Sequence, residues 1–156
     1  MRIMRYLNYM ALLLLLAGSA QAQTVYHVNI KPEGMIDPGV AAFIERVIED
    51  AEAAEVDAIV FEIDTFGGRV DAATVIRDAI LDANALTIAF VNKRAISAGA
   101  LISLACDKIV MTQASTMGAT TPVDGSGTKG SDKTVSYMRA EMRATAERTG
   151  RDVKIA

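Results

Sequence analysis

The chain has 156 residues, 51% of them hydrophobic and 22% charged, with a formal net charge of -3, which suits one globular domain or part of a larger one. It lacks tryptophan and any concentration of basic residues, which argues against nucleic acid as a partner on electrostatic and stacking grounds alike. Its single cysteine, Cys106, excludes a disulfide framework within the chain and reads as a small buried hydrophobe.

The chain opens with Arg2 and Arg5, then an apolar run from Met10 to Ala17, then Gly18, Ser19 and Ala20-Gln21-Ala22. A positive start, a short apolar core and a small-residue site are the parts of a secretory signal. The run is far shorter than the ~20 residues that a spanning helix needs. Residues 1–22 are therefore expected to be a signal peptide cleaved after Ala22, and residues 23–156 an exported, extracytoplasmic domain.

Val25 to Ile30 alternates apolar and polar residues and reads as a strand. Asp37-Pro38 starts a helix, a capping carboxylate followed by proline in the first turn. Val40, Phe43, Ile44, Val47, Ile48 and Ala51 recur at helical spacing and predict one buried face, with the helix reaching about Glu55. Ala58 to Ile63 reads as a buried strand, Asp64 to Arg69 as a glycine-bearing loop, and Val70 to about Asn84 as a second amphipathic helix. Leu86 to Val91 predicts a third strand and Asn92 to Ile96 a loop. Ser97 to Ala105 is almost free of charge and predicts a short helix buried on all sides. Lys108 to Met111 reads as a fourth strand. The segment with Gly118, Pro122, Gly125, Gly127 and Gly130 reads as a mobile loop, and a charged helix from about Asp132 to Arg148 ends at Gly150. Strands alternating with helices predict an α/β fold with a mainly parallel sheet.

Two segments carry candidate chemistry. Ser97, in Ile96-Ser97-Ala98-Gly99-Ala100, stands where a strand gives way to a helix. A helix N-terminus offers unpaired N–H groups and the positive end of a dipole, so a serine there can attack a carbonyl while N–H groups hold the oxyanion. Taken alone, the same motif describes an ordinary helix N-cap, for which serine is favoured. Asp64-Thr65-Phe66-Gly67-Gly68 ends a buried strand. Paired glycines there let main chain approach a ligand closely, or simply make a turn. Asp64 is either an acid or a cap of the loop.

His27 is the sole histidine, lies in the first strand, and reads as an exposed edge residue rather than part of a triad. The pattern implies no metal site and no cofactor. If Ser97 is a nucleophile, its base is then a lysine. Such a base must be neutral, which takes burial to lower a pKa of about 10.4 toward about 7. The candidates are Lys31, Lys93, Lys108, Lys129, Lys133 and Lys154, and sequence physics alone does not choose among them.

The ordered set Asp64-Thr65-x-Gly67-Gly68, Ser97-Ala98-Gly99-Ala100, Gly118-Ala119-x-x-Pro122-Val123, Lys133 and Ala146-Glu147-x-x-Gly150-Arg151 resembles the NfeD-type, ClpP-class membrane-associated serine proteases. The resemblance covers nearly all of the chain after residue 22. It implies a ClpP/crotonase-like fold, a Ser–Lys dyad of Ser97 and Lys133, and an oxyanion hole from the N–H groups of Gly68 and Ala98. It also implies substrate pairing beside Gly67 and Gly68, a homodimer, and apolar peptide segments of membrane partners, including stomatin-like proteins, as substrates. Two departures stand out. Phe66 occupies a position where the family usually has proline. Family members also continue past the Gly-Arg motif, often into membrane helices, so the chain is expected to be a truncated form. The competing readings are a non-catalytic exported binding module and a crotonase-like acyl-CoA enzyme; an export signal argues against the second, because CoA thioesters are cytoplasmic.

Overall fold

The computed structural model describes residues 23–31 and 34–154; the expected signal peptide lies outside them. Five strands and four helices follow one another as β1 (Val25–Ile30), α1 (Pro38–Ala53), β2 (Ala58–Thr65), α2 (Val70–Asp82), β3 (Leu86–Ile96), α3 (Ala98–Ala105), β4 (Lys108–Met111), β5 (Thr116–Gly118) and α4 (Asp132–Arg148). The sheet runs β1-β2-β3-β4, with β5 also paired to β3, and every pairing is parallel. Right-handed crossovers that always step in the same direction place α1, α2 and α3 on one face.

That face carries the core. Val28 and Ile30 of β1, Ile59, Phe61 and Ile63 of β2, and Ala89 and Val91 of β3 are buried in one cluster with the helices. Each large side chain so buried contributes about 1.5–3 kcal/mol. The alternate residues face outward, and there His27 Nε2 lies 2.9 Å from Glu62 Oε2 while Asn92 donates to Glu62 Oε1 at 2.6 Å. His27 is thus a half-exposed edge-strand residue, as its place in the sequence suggests.

Asp37 caps α1 as expected, accepting from the Val40 N–H at 2.9 Å, a contact worth about 1 kcal/mol. The buried stripe of α1 is Ala41, Ile44, Ile48 and Ala51, and Phe43 is left 45% exposed. Phe43 lies beside this stripe of alanines and isoleucines rather than in it. Helix α3 is buried along all eight residues. α4 packs over α2 and α3 through Met138, Met142 and Ala146, and Arg77 of α2 donates to Thr145 at 2.8 Å. It closes with Gly150 at φ 69°, where the Gly150 and Arg151 N–H groups return to Glu147 and Ala146, so the last carbonyls are satisfied.

One segment differs from the sequence expectation, and a second, the expected loop, carries hydrogen bonds that order it. Residues 92–96 are not a loop but the end of β3, because Arg94 to Ile96 pair with Thr116 to Gly118. Residues 122–130 form a folded turn. Val123 bridges Lys129, and the Asp124 carboxylate accepts from the Ser126 and Thr128 N–H groups and from the Ser126 hydroxyl. These hydrogen bonds, the Ser126 hydroxyl first, lower the Asp124 pKa.

Arg151 is tied to α3 in a way that the sequence pattern does not reveal. Its guanidinium donates to the carbonyls of Leu104 (3.0 Å), Cys106 (2.8 Å) and Asp107 (3.1 Å), which end the helix that begins beside Ser97. Replacing Arg151 with alanine leaves these carbonyls unpaired, at an expected cost of roughly 2 kcal/mol. Urea unfolding should show this as a lower midpoint with an unchanged slope. Arg151→Lys should recover little of the loss, because a lysine cannot fork to several carbonyls.

Candidate active site

Ser97 joins the end of β3 to the start of α3, and its backbone sits at φ 55°, ψ −114°. A non-glycine residue at such a positive φ costs about 1–3 kcal/mol, and such strain clusters at functional sites. An N-cap serine is extended and accepts from a nearby N–H. Ser97 has neither property, since its side chain makes no capping hydrogen bond. The helix-cap alternative therefore fails on geometry. Neighbouring elements hold the strained turn in place: the Ser97 N–H donates to Gly118 of β5 at 2.8 Å, and its carbonyl accepts from Ala100 at 2.9 Å.

The Gly67-Gly68 loop lies against this turn. Gly67 has φ 111°, and a side chain there would place its Cβ 2.7 Å from Ser97 Cβ and 3.2 Å from Ser97 Oγ, so only glycine permits this approach. A Cβ on Gly68 would lie 2.2 Å from the Ile36 carbonyl oxygen and 2.4 Å from its nitrogen. Ile36 bridges Gly68 in parallel, donating to Gly67 O at 3.0 Å and accepting from Arg69 N–H at 2.7 Å.

These contacts settle how the N–H groups of the loop are used. The Gly67 N–H goes to the buried Thr65 hydroxyl at 3.1 Å, and the Arg69 N–H goes to Ile36. In a parallel ladder the bridged residue directs its own N–H and C=O to the opposite side. The Gly68 N–H has no partner among the described residues. On the other wall, Ala98 occupies the first position of α3, where no preceding helical carbonyl is available.

Ser97, Gly67 and Gly68 line one open cleft of about 750 Å³. Met35, Phe66 and Val123 stand on its walls with exposures of 66%, 65% and 61%, above any other large hydrophobic among the described residues. Three separate segments thus bring exposed apolar side chains to one mouth. Arg69, also in the lining, donates to Asp71 at 3.0 and 2.6 Å and so brings the Asp71 carboxyl down to about 2.

Ala98 is buried beside Ser97. Lys133 is exposed on the first turn of α4, outside the cleft lining, with no hydrogen bond or ion pair among the described residues. One turn later Tyr137 meets Thr74 of α2 at 3.3 Å, so Lys133 shares the side of α4 that looks toward α2. Lys129 lies 3.9 Å from Asp132 in solvent. Asp64 does not line the cleft and instead faces Arg94 at 3.2 Å. Cys106 is fully buried and burial pushes its thiol up, so it is no thiolate nucleophile.

A one-sided parallel α/β layer, with a strained serine between strand and helix and a glycine loop against it, defines a ClpP/crotonase-like domain. The model of the NfeD1b N-terminal domain family matches residues 24–156, and the chain belongs to that family. It is 40% identical over 141 residues to membrane protein NfeD1b of Bacillus subtilis, covering 90% of this chain and 32% of the relative. It is 31% identical over 160 residues to membrane-bound protease PH1510 of Pyrococcus horikoshii, covering 97% of this chain and 36% of the relative. The chain thus spans about a third of the length of these curated relatives.

Among solved structures, a mutant of the 1510-N membrane-bound stomatin-specific protease superposes with a TM-score of 0.78 at 30% identity, over 86% of this chain and 68% of that one. A lysine-to-alanine mutant of the same protease, in complex with a substrate peptide, gives 0.77 at 30% identity, over 85% and 64%. ClpP1 of Listeria monocytogenes (TM-score 0.62, 20% identity) and an enoyl-CoA hydratase of Mycobacterium avium subsp. paratuberculosis (0.53, 21%) share the fold.

Proposed function

We propose that this domain is an exported serine endopeptidase that works through a Ser97–Lys133 dyad on apolar peptide segments of membrane-associated proteins. The observation that carries the reading is the backbone of Ser97, held at φ 55° without a capping bond, on a cleft also lined by Gly68, whose N–H has no partner among the described residues. In this reading Ser97 Oγ adds to the peptide carbonyl carbon and its proton passes to neutral Lys133 Nζ. The N–H groups of Gly68 and Ala98 hold the oxyanion. The C–N bond then breaks, the leaving amine takes the proton from Lys133, and an ester to Ser97 remains. Water adds to that ester and gives its proton to Lys133; the C–O bond to Ser97 then breaks, Lys133 returns the proton to Ser97 Oγ, and the acid product leaves.

The substrate lies extended beside Gly67 and Gly68, on the side opposite Ile36, by strand addition. The 1510-N protease is stomatin-specific by name, and a stomatin-like membrane protein is the partner proposed for this domain. The proposed active form is a homodimer, and the proposed route to it is export through residues 1–22. No helix among the described residues is long and apolar enough to cross a membrane, while both curated relatives are membrane proteins by name. The exposed position of Lys133 favours one second reading, an exported module that binds peptide without cleaving it.

A fluorophosphonate probe separates the two readings. The folded chain should be labelled at Ser97, located by peptide mass mapping, and Ser97→Ala should lose both the label and peptide hydrolysis. A folded wild-type chain that takes no label overturns the peptidase reading and leaves the binding module.

A further inference from the structure

The position where this chain carries phenylalanine beside the two glycines is built as more than a loop residue. Phe66 is 65% exposed and lines the Ser97 cleft. Behind it, the Arg94 guanidinium lies 4.5 Å from the ring centroid, within the range of a cation–π contact. Arg94 does not itself line the cleft. Its Nε is 3.2 Å from Asp64 Oδ1, and the two side chains are 32% and 16% exposed. That Asp64 oxygen is buried and accepts no hydrogen bond among the described residues, so the charge of Arg94 is what compensates it. Asp64 and Arg94 immediately precede Thr65 and Ala95, which are partners in the β2–β3 ladder. Two adjacent strands of a rigid sheet thus fix the guanidinium, and the guanidinium fixes one face of the ring.

We propose that Phe66 is a specificity-determining residue of the cleft, a shelf for an aromatic or branched aliphatic side chain of an extended peptide. Arg94 is the positioning residue that holds the shelf. An aromatic ring left this exposed presents apolar surface that gains from being covered, and Met35 and Val123 present more of it at the same mouth. The inference rests on the peptidase reading only in taking an extended peptide as the occupant of the cleft.

The test uses the Ser97→Ala chain, in which hydrolysis is blocked. Fluorescence anisotropy compares an apolar peptide with a counterpart whose leucine and phenylalanine residues are replaced by glutamine and asparagine. The apolar peptide should bind more tightly. Phe66→Ala should weaken it about fivefold and leave the polar counterpart unchanged, while Phe66→Tyr should keep the preference. Arg94→Gln should weaken the apolar peptide about twofold and Arg94→Lys should restore it. In the Phe66→Ala background Arg94→Gln should have no further effect on binding, which a merely structural role for Arg94 would not produce. Loss of affinity for both peptides alike, or an Arg94 effect that persists without Phe66, overturns the proposal. The two readings fail separately. Selective binding by a chain that takes no fluorophosphonate defeats the peptidase and keeps the shelf; labelling with a selectivity indifferent to Phe66 does the reverse.

Discussion

Gly68→Ala should reduce fluorophosphonate labelling of Ser97 by about 10²–10³-fold and destabilise the domain by roughly 2–4 kcal/mol. The added Cβ would lie 2.2, 2.4 and 2.7 Å from the oxygen, nitrogen and carbonyl carbon of Ile36. All three are main-chain atoms, so no side-chain rotation relieves the clash. Either the 67–69 loop or the segment around Ile36 must shift. That shift stretches the Ile36-to-Gly67 and Arg69-to-Ile36 hydrogen bonds, each with a net worth of about 1 kcal/mol, and overpacking adds about 1–3 kcal/mol. It also moves the Gly68 N–H, one of the two donors assigned to the oxyanion. Urea unfolding and labelling kinetics measured on one sample distinguish these effects. A variant that remains folded at low urea yet labels slowly supports the oxyanion role. Labelling at the wild-type rate by a correctly folded variant removes Gly68 from it.

The sequence showed most of the scaffold because its signals are local. Asp37-Pro38 starts α1 where a cap and an N1 proline should, and the charge-free 97–105 segment is the buried α3. What it hid depends on distant partners. Asn92, Lys93 and Arg94 look like loop residues, and only pairing of Arg94 to Ile96 with a strand some twenty residues later makes them part of β3. Ser97 reads locally as an N-cap, and its positive φ emerges only when Gly118 holds its N–H and Gly67 packs on its side chain. The 122–130 turn was within reach, since Asp124-Gly125-Ser126 is the kind of run in which an Asp carboxylate organises following N–H groups; the density of glycine masked it. Arg151 gives no local hint that it closes α3 from 44 to 47 positions away. For Lys133 the resemblance supplied the assignment, and no contact with Ser97 among the described residues adds to it.

Lys133 is therefore where a single substitution tests the most. Lys133→Ala should lower peptide hydrolysis by about 10²–10⁴-fold, the usual worth of a positioned general base. It should leave the unfolding free energy within about 0.5 kcal/mol of wild type, because the side chain is exposed and holds no partner among the described residues. That separation is informative: a slow enzyme with unchanged stability has lost chemistry rather than structure. Lys133→Arg should not rescue the rate, since a guanidinium does not give up its proton to become a base. For the dyad to form, the long Lys133 side chain must turn from the first turn of α4 toward the cleft, and a peptide seated beside Gly68 would displace water from that path. Lys129→Ala is the paired control. Lys129 lies 3.9 Å from Asp132 in solvent, and its removal should leave hydrolysis intact. Full activity in Lys133→Ala with loss in Lys129→Ala would transfer the base to the turn over the cleft. Full activity in both would mean that Ser97 works without a lysine from this part of the chain.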